Sequence, residues 1–462
     1  MWRGSGPPIA SVPAASAEFR SPRGSNSTVR CIAFSSAGVA VQSSVSRASC
    51  GACGRRRGSW SDCRWRSPGH LIAGAWRSAG GCFCGIFAAA RTSLGWPRSF
   101  GSTSSATRRS IAERASFGGG VGLSGQCRAS GLAQIEAIID RLAGLRVLVV
   151  GDLLLDEYRV GDVDRVSPEA PVPIVRVQRA TSELGGAANV ARGVVSLGAR
   201  CELIGLVGDD AEGRTLTRLL EESGIPAAGV LEAPGRPTSH KLRVVARAQQ
   251  MLRLDREEDS AIEPVLGERV RAAVASKLEA CDLVILEDYD KGLFGEGLAE
   301  WIIELAHTHR VPVMADPKCD LARFRGAALV KPNLDEALAF VVGSPEHFQG
   351  RRALLEKLSF ALDGAEVVLT RGRSGMSGLD EAGQAFDVPT RGQEVYDVQG
   401  AGDTSMAALA SCRVAGASLV DACIVANAAA AVVVEKMGTA AVGQDELRAR
   451  LPEALAVFEG EA

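Results

Sequence analysis

From Arg146 onward, short runs of branched apolar residues alternate with segments of helical length, and this rhythm limits the fold more than any other feature of the chain. RVLVVGD (146–152), CELIGLVGDD (201–210), CDLVILEDYD (281–290), VPVMADP (311–317), ALVKPN (328–333) and EVVLTRG (366–372) are short enough for strands and apolar enough to be buried on both faces. Helix-like stretches fall between them, over 211–224, 264–279, 295–309, 334–342 and 351–362, and one more over 135–145 leads into the first strand. Strands alternating with helices imply parallel strands joined by right-handed crossovers. Two segments break the rhythm. Residues 158–182 and 240–257 alternate polar and apolar, and the first carries prolines, which suits edge strands. They are expected to pair into a small β lid on an α/β sandwich. A hairpin is expected around GLDEAGQAFDV (378–388), and two helices over 400–416 and 419–438.

Composition divides the chain near residue 130. Residues 1–130 hold no Lys, seventeen Arg and three acids (Glu18, Asp62, Glu113), and they show neither strand nor helix periodicity. Such a segment reads as a disordered leader, either an organelle transit peptide or a spurious upstream extension. Cys50, Cys53 and Cys63 lack a second pair of ligands, so zinc is not expected there. Residues 131–462 carry a net charge of −16, which argues against nucleic acid as a partner. No stretch is long and apolar enough to suggest a membrane span. The five cysteines of this part (Cys201, Cys281, Cys319, Cys412, Cys423) are scattered singly, as in a reduced compartment. The expected location is the cytoplasm, or an organelle stroma or matrix if the leader is a transit peptide.

The sharpest chemical signal is DVQGAGDTSMAAL (397–409). A strand approach gives way to Gly400-Ala401-Gly402, and a helix begins near Asp403. Glycines let the backbone aim its N–H groups at one point, and a helix N-terminus adds positive potential there. The result is an anion cradle suited to a transferring phosphoryl group. Asp403 at its rim can take a proton from an attacking hydroxyl, or simply cap the helix. Spacing alone leaves both open.

DVQGAGDT resembles the second signature of the ribokinase (PfkB) family of carbohydrate kinases, and GGAANVARGVVSLGA (185–199) resembles the first, about 210 residues earlier. The resemblance covers residues 140–455 and implies a ribokinase-like three-layer sandwich with a small β lid. It implies ATP and Mg²⁺ as cofactors, with Asp403 as base and Gly400, Ala401 and Gly402 as anion hole. Val398 and Gln399 depart from the usual motif without removing a backbone donor. GDLLLDEYRVG, VSPEAPVPIVRV, HKLRVVARAQQMLRLD, EDYDKG, ADPK, KPNLDEA and ANAAAAVVVEKMGT resemble the heptose 7-phosphate kinase branch. The implied reaction is phosphorylation of the anomeric hydroxyl of a heptose 7-phosphate. No HxGH-type nucleotidyltransferase motif follows residue 440, so the expected likeness is to the monofunctional form. A kinase of another sugar, or a noncatalytic kinase-like partner, are the alternatives.

Other residues follow from the same resemblance and from their positions. Asp152 and Asp156 lie at the end of the first strand, where open α/β sheets bind ligands. With Gly185, Gly186 and Asn189 they are expected on the sugar. Asn333, Leu334, Asp335 and Glu336 fall where the family binds nucleotide and orders magnesium-bound water. Asn333 could equally be a helix cap. Thr370, Arg371, Gly372 and Gly375 are expected along the ATP phosphates, and Asn427 near the adenine. Lys241, Arg243 and Arg247 are candidates for the remote sugar phosphate. No protein-held metal site is expected. The exposed edges of the lid point to a homodimer through it.

Overall fold

The structure is a computed structural model that describes residues 71–78, 81–88, 129–247, 249–341, 350–390, 399–436 and 438–460. The chain divides into two compact units, Met1–Ser102 and Thr103–Ala462. In the first, β1 (Leu71–Ser78) pairs antiparallel with β2 (Gly81–Ala88). The leader reading expected no strand here. Two residues, Ala79 and Gly80, separate the apolar runs, a hairpin spacing that the search for alternation passed over. The remaining leader residues up to 128 lie outside the described residues.

The second unit is built on seven parallel strands, β3 (Arg146–Gly151), β6 (Arg200–Val207), β7 (Val230–Glu232), β10 (Leu283–Glu287), β11 (Val313–Asp316), β12 (Leu329–Val330) and β13 (Glu366–Val367), in the order β13-β12-β11-β10-β3-β6-β7. The apolar runs are continuous because both faces are covered. Val147 and Val149 enter one core with residues of α1 (Leu132–Arg141), α2 (Ala187–Ser196), α3 (Ala211–Glu222), α8 (Ala401–Val414), α9 (Leu419–Val434) and α10 (Gln444–Glu459). Leu148 and Val150 enter the other with α4 (Pro264–Leu278), α5 (Leu298–His309), α6 (Leu334–Phe340) and α7 (Arg351–Ala361). This is the expected three-layer sandwich.

Asp152 alone separates β3 from β4 (Leu153–Val166), which belongs to a second sheet with β5 (Pro173–Gly186), β8 (Ser239–Ala246) and β9 (Gln249–Arg256), ordered β5-β4-β8-β9. Its strands begin nearer the core than the alternation suggested. Val177, Leu252 and Leu254 on it are about half exposed. The expected hairpin is present as β15 (Met376–Leu379) and β16 (Ala385–Val388), joined by β14 (Leu369–Thr370). α10 was not assigned from the sequence and contains Pro452. Ser130, one residue before the expected start of the kinase-like part, donates its N–H and hydroxyl to Asp421 at 2.8 Å each.

Candidate active site

The order of the central sheet places the site. β3 has β6 on one side and β10 on the other, so chain connections diverge there and leave a crevice beyond the strand ends. Asp152 follows β3. Glu287 ends β10, with Asp288 and Tyr289 after it.

α8 starts at this crevice. Gly400 precedes it with φ 73°, and a Cβ on Gly400 would lie 2.7 Å from Asn189 Nδ2, so glycine is required twice over. Thr404 N–H bonds back to the Gly400 carbonyl at 2.9 Å. The N–H groups of Ala401, Gly402 and Asp403 stand ahead of that ladder. A Cβ on Gly402 would meet nothing within 4 Å, so the space over the first turn is open. Asp403, 3% exposed, accepts from Asn189 Nδ2 at 2.7 Å and from the Tyr289 hydroxyl at 2.6 Å. Burial pushes its carboxyl up to about 6, against the pull of the Tyr289 and Asn189 bonds. Burial and the Asp403 charge hold the Tyr289 phenol above its usual range, so it remains a donor. A carboxyl that titrates near 6 is ionised at neutral pH yet basic enough to accept a proton.

Around Asp403 the sugar candidates gather. Asn189 is oriented by Arg192, which donates to its Oδ1 at 2.6 Å and to the Thr439 carbonyl. Asp152 Oδ2 accepts the backbone N–H groups of Tyr289 (2.8 Å) and Lys291 (3.0 Å). Burial raises Asp152 to about 6 as well. Gly185 approaches Asp156 so closely that a Cβ would lie 2.5 Å from its Oδ2. Gly186 opens α2 with φ 58°. Asp156 is ion-paired with Arg243 at 2.6 Å, both buried, and the guanidinium stacks 5.5 Å above the Tyr158 ring. Arg243 spends Nη1 on Asp156 and the Lys241 carbonyl, while its buried Nε has no partner. Lys241 reaches Glu257 at 2.5 Å, and Arg247 donates to the Val163 carbonyl at 2.8 Å.

A row of charge lies beside Asp403. Glu287 and Asp316 are in register across β10 and β11, and Lys331 follows β12 one step past the Ala315–Val330 pair. Their in-strand neighbours Ile285, Met314 and Leu329 belong to the core shared with α8, so the row projects to that side. Lys331 Nζ sits 2.7 Å from Asp316. Burial works to lower the Lys331 ammonium, but Asp316 and Glu287 outweigh it and hold it raised. Burial, with the charges of Asp316 and Asp403, pushes Glu287 well above the carboxylate range, and its Oε2 has no partner.

The nucleotide candidates form two groups. Asn333 and Glu336 make a capping box for α6 at 2.9 and 2.8 Å, so the cap reading holds for Asn333. Leu334 and Asp335 fill its first turn, and Thr370 bridges back to Asn333. Gly372 (φ 53°) and Gly375 (φ 79°) shape the following turn, where Arg371 pairs with Asp387 at 3.2 Å. Asn427, on α9, bonds instead to Thr390 (2.9 Å) and the Pro389 carbonyl (3.0 Å). Residues 391–398, which lead from there into the glycine motif and include Asp397 and Val398, lie outside the described residues. Among the described residues no group of three or more His, Cys, Asp or Glu side chains is arranged to hold a metal ion.

Sequence reasoning named no individual residue in Glu287-Asp288-Tyr289, Lys291, Asp316 or Lys331, and passed over Arg192. The available signal was a polar residue directly after an apolar strand, in LVILEDY, VMAD and LVK.

Comparison with known proteins agrees with this geometry. The family model described as "pfkB family carbohydrate kinase" matches residues 145–446. A D-beta-D-heptose 7-phosphate kinase of Bordetella bronchiseptica is 44% identical over 309 residues, covering 67% of this chain and 96% of that protein. The bifunctional protein HldE of Rhodospirillum rubrum is 40% identical over 317 residues. The match covers 68% of this chain but only 64% of that protein's length. Among solved structures, phosphofructokinase-2 from Escherichia coli in complex with potassium superposes with TM-score 0.56 at 20% identity, over 67% of this chain and 99% of that one. Arabidopsis thaliana ribokinase complexed with ribose and ATP superposes with TM-score 0.51 at 19% identity, over 67% of this chain and 98% of that one. At that identity the structures speak to the fold alone.

Proposed function

Because this chain belongs to the pfkB family of carbohydrate kinases, we propose that it transfers the γ-phosphoryl group of ATP to the anomeric hydroxyl of a heptose 7-phosphate. The observation that carries the reading is Asp403: a buried carboxylate, held by Tyr289 and Asn189, at the open N-terminus of α8.

Asp403 accepts the proton of the anomeric hydroxyl as that oxygen bonds to the γ-phosphorus and the bond to the leaving phosphate oxygen of ADP breaks. The N–H groups around Gly400, Ala401 and Gly402 receive the charge on the transferring group. Gly402 supports this fit, since the space above it is open. Asp152 spends one oxygen on two backbone N–H groups and has the other for a sugar hydroxyl. Asn333, Glu336 and Thr370 form the edge along which the nucleotide lies. Magnesium, entering with the nucleotide, would supply positive charge to the phosphate oxygens. The four-stranded sheet closes over the sugar and excludes water. Its half-exposed Val177, Leu252 and Leu254 make the face through which two copies pair.

The test is a product assay with ATP and a panel of heptose 7-phosphate, ribose, fructose and fructose 6-phosphate. Turnover at the anomeric position of the heptose, exceeding the others in kcat/KM, is the expected result. Preference for another sugar overturns the substrate assignment, and no turnover with any overturns the enzyme reading.

A further inference from the structure

Two ammonium groups from different parts of the fold converge on one carboxylate beside the sugar site. Lys241 Nζ lies 2.5 Å from Glu257 Oε2, and Lys291 Nζ lies 3.0 Å from Glu257 Oε1. Lys241 belongs to β8 and is in register with Asp156 on one side and Asp255 on the other, so these three side chains rise from the same face of the small sheet. Asp156 shows that this face looks toward the site, since it is buried against Gly185 and Arg243. Lys291 comes from the loop after β10, and its own N–H is bonded to Asp152. Tyr289, bonded to that same Asp152 oxygen through its N–H, carries the hydroxyl that holds Asp403.

The arrangement is that of an occupied anion site. Each oxygen of one carboxylate takes a donor from a separate lysine, and both lysine side chains are about 15% exposed, at 15% and 16%. The occupant, Glu257, has a side chain 26% exposed, more than either lysine, and sits just past the end of β9, where it can swing away. A phosphate group brings more charge and more acceptor oxygens to the same two donors than a carboxylate does. Of the other two candidates from the sequence, Arg243 is ion-paired with Asp156 and Arg247 donates to the Val163 carbonyl.

We propose that Lys241 and Lys291 form the subsite for the terminal phosphate of the sugar substrate, and that Glu257 fills this subsite until a phosphate displaces it. This rests on the reading of a phosphorylated sugar as substrate. Glu257 is then a selectivity element: a sugar without the phosphate leaves the carboxylate in place and gains nothing from the lysines.

The test uses the full chain and two probes, the sugar phosphate in steady-state kinetics and inorganic phosphate in calorimetry. Lys291→Met should raise KM for the sugar phosphate about tenfold or more, with the loss falling on KM rather than kcat, and should weaken inorganic phosphate in parallel. Lys291→Arg should recover most of it. Glu257→Gln removes the nearer competitor, leaving Asp255 at 3.5 Å from Lys241, and should tighten both ligands several-fold; a thermal melt checks that the near-isosteric variant is folded. Wild-type KM and phosphate affinity in Lys291→Met, or weaker binding in Glu257→Gln, would overturn the proposal. Should the protein phosphorylate only sugars that lack a phosphate, the substrate reading fails, while calorimetry with inorganic phosphate still decides whether the lysine pair is an anion site.

Discussion

The Tyr289 hydroxyl donates to Asp403 Oδ1 at 2.6 Å, joining residues 114 positions apart. That bond favours the charged carboxylate, while burial favours the neutral one and places Asp403 at about 6. Turnover requires the ionised form, so kcat should fall as pH drops below about 6. In Tyr289→Phe the stabilising donor is gone, the Asp403 pKa rises further, and the acid limb of the kcat profile should move up by about one pH unit. An unmoved limb would show that Asp403 is not the titrating base.

Asp403→Asn should lower kcat about 10²–10⁴-fold while substrate affinity, read by calorimetry, survives. Its stability should change with the opposite sign. A carboxyl raised from 3.8 to about 6 by folding contributes stability below pH 3.8 that is lost as pH rises through 6. At pH 8 the ionised group therefore destabilises the fold, on the order of 3 kcal/mol. Asparagine removes that term, so thermal melts at pH 8 should show a higher Tm than the wild type, with the gap closing toward pH 4.

The two glycines of the cradle should behave differently. Gly400→Ala places a side chain at φ 73° and against Asn189, which should cost at least about 1–2 kcal/mol and reduce kcat by displacing a partner of Asp403. Gly402→Ala meets nothing within 4 Å, so Tm should hold while kcat falls because the methyl enters the path of the phosphoryl group. Equal losses of Tm in both variants would contradict the assignment of the open space.

Light scattering at micromolar concentration should give a dimer. Leu252→Asp combined with Leu254→Asp, both about half exposed on β9, should give a monomer. If the doubly substituted protein still elutes and scatters as a dimer, the pairing face lies elsewhere.

A chain shortened to begin at Ala129 should fold and retain kinase activity, because it keeps both Ser130 bonds to Asp421. Ser130→Ala in that shortened chain should lower stability by about 1 kcal/mol, measured by urea denaturation. Failure of the shortened chain to fold would place part of the leader in the body.

Six strands of the main sheet were legible as apolar runs, and the small sheet because its strands alternate; β7 was missed because it is three residues long and only partly buried. The order of those strands was not legible. That β3 lies between β6 and β10 follows from packing alone, and this order is what brings Tyr289 and Asn189 to Asp403. Asp403, Gly400 and Asn189 could be named because their motifs are local. Lys291 could not, since its partner Glu257 comes from the small sheet and its N–H from a bond to Asp152. α10 was hidden by Pro452, although Leu447, Leu451 and Leu455 keep a four-residue spacing across it and all three are buried.

The chain passes between the large and small sheets at Asp152, at the Gly186–Ala187 junction, at Thr238–Ser239 and after Arg256. Leu153 pairs with Gly186, Leu154 with Ser239 and His240 with Arg256, so the four crossings stand side by side. Any swing of the small sheet therefore turns on a hinge whose pins include Asp152 and Gly186, the residues proposed to hold the sugar. An enzyme built this way has no separate latch: gripping the substrate and stiffening the joint are one event, and a sugar that fits poorly leaves the joint loose.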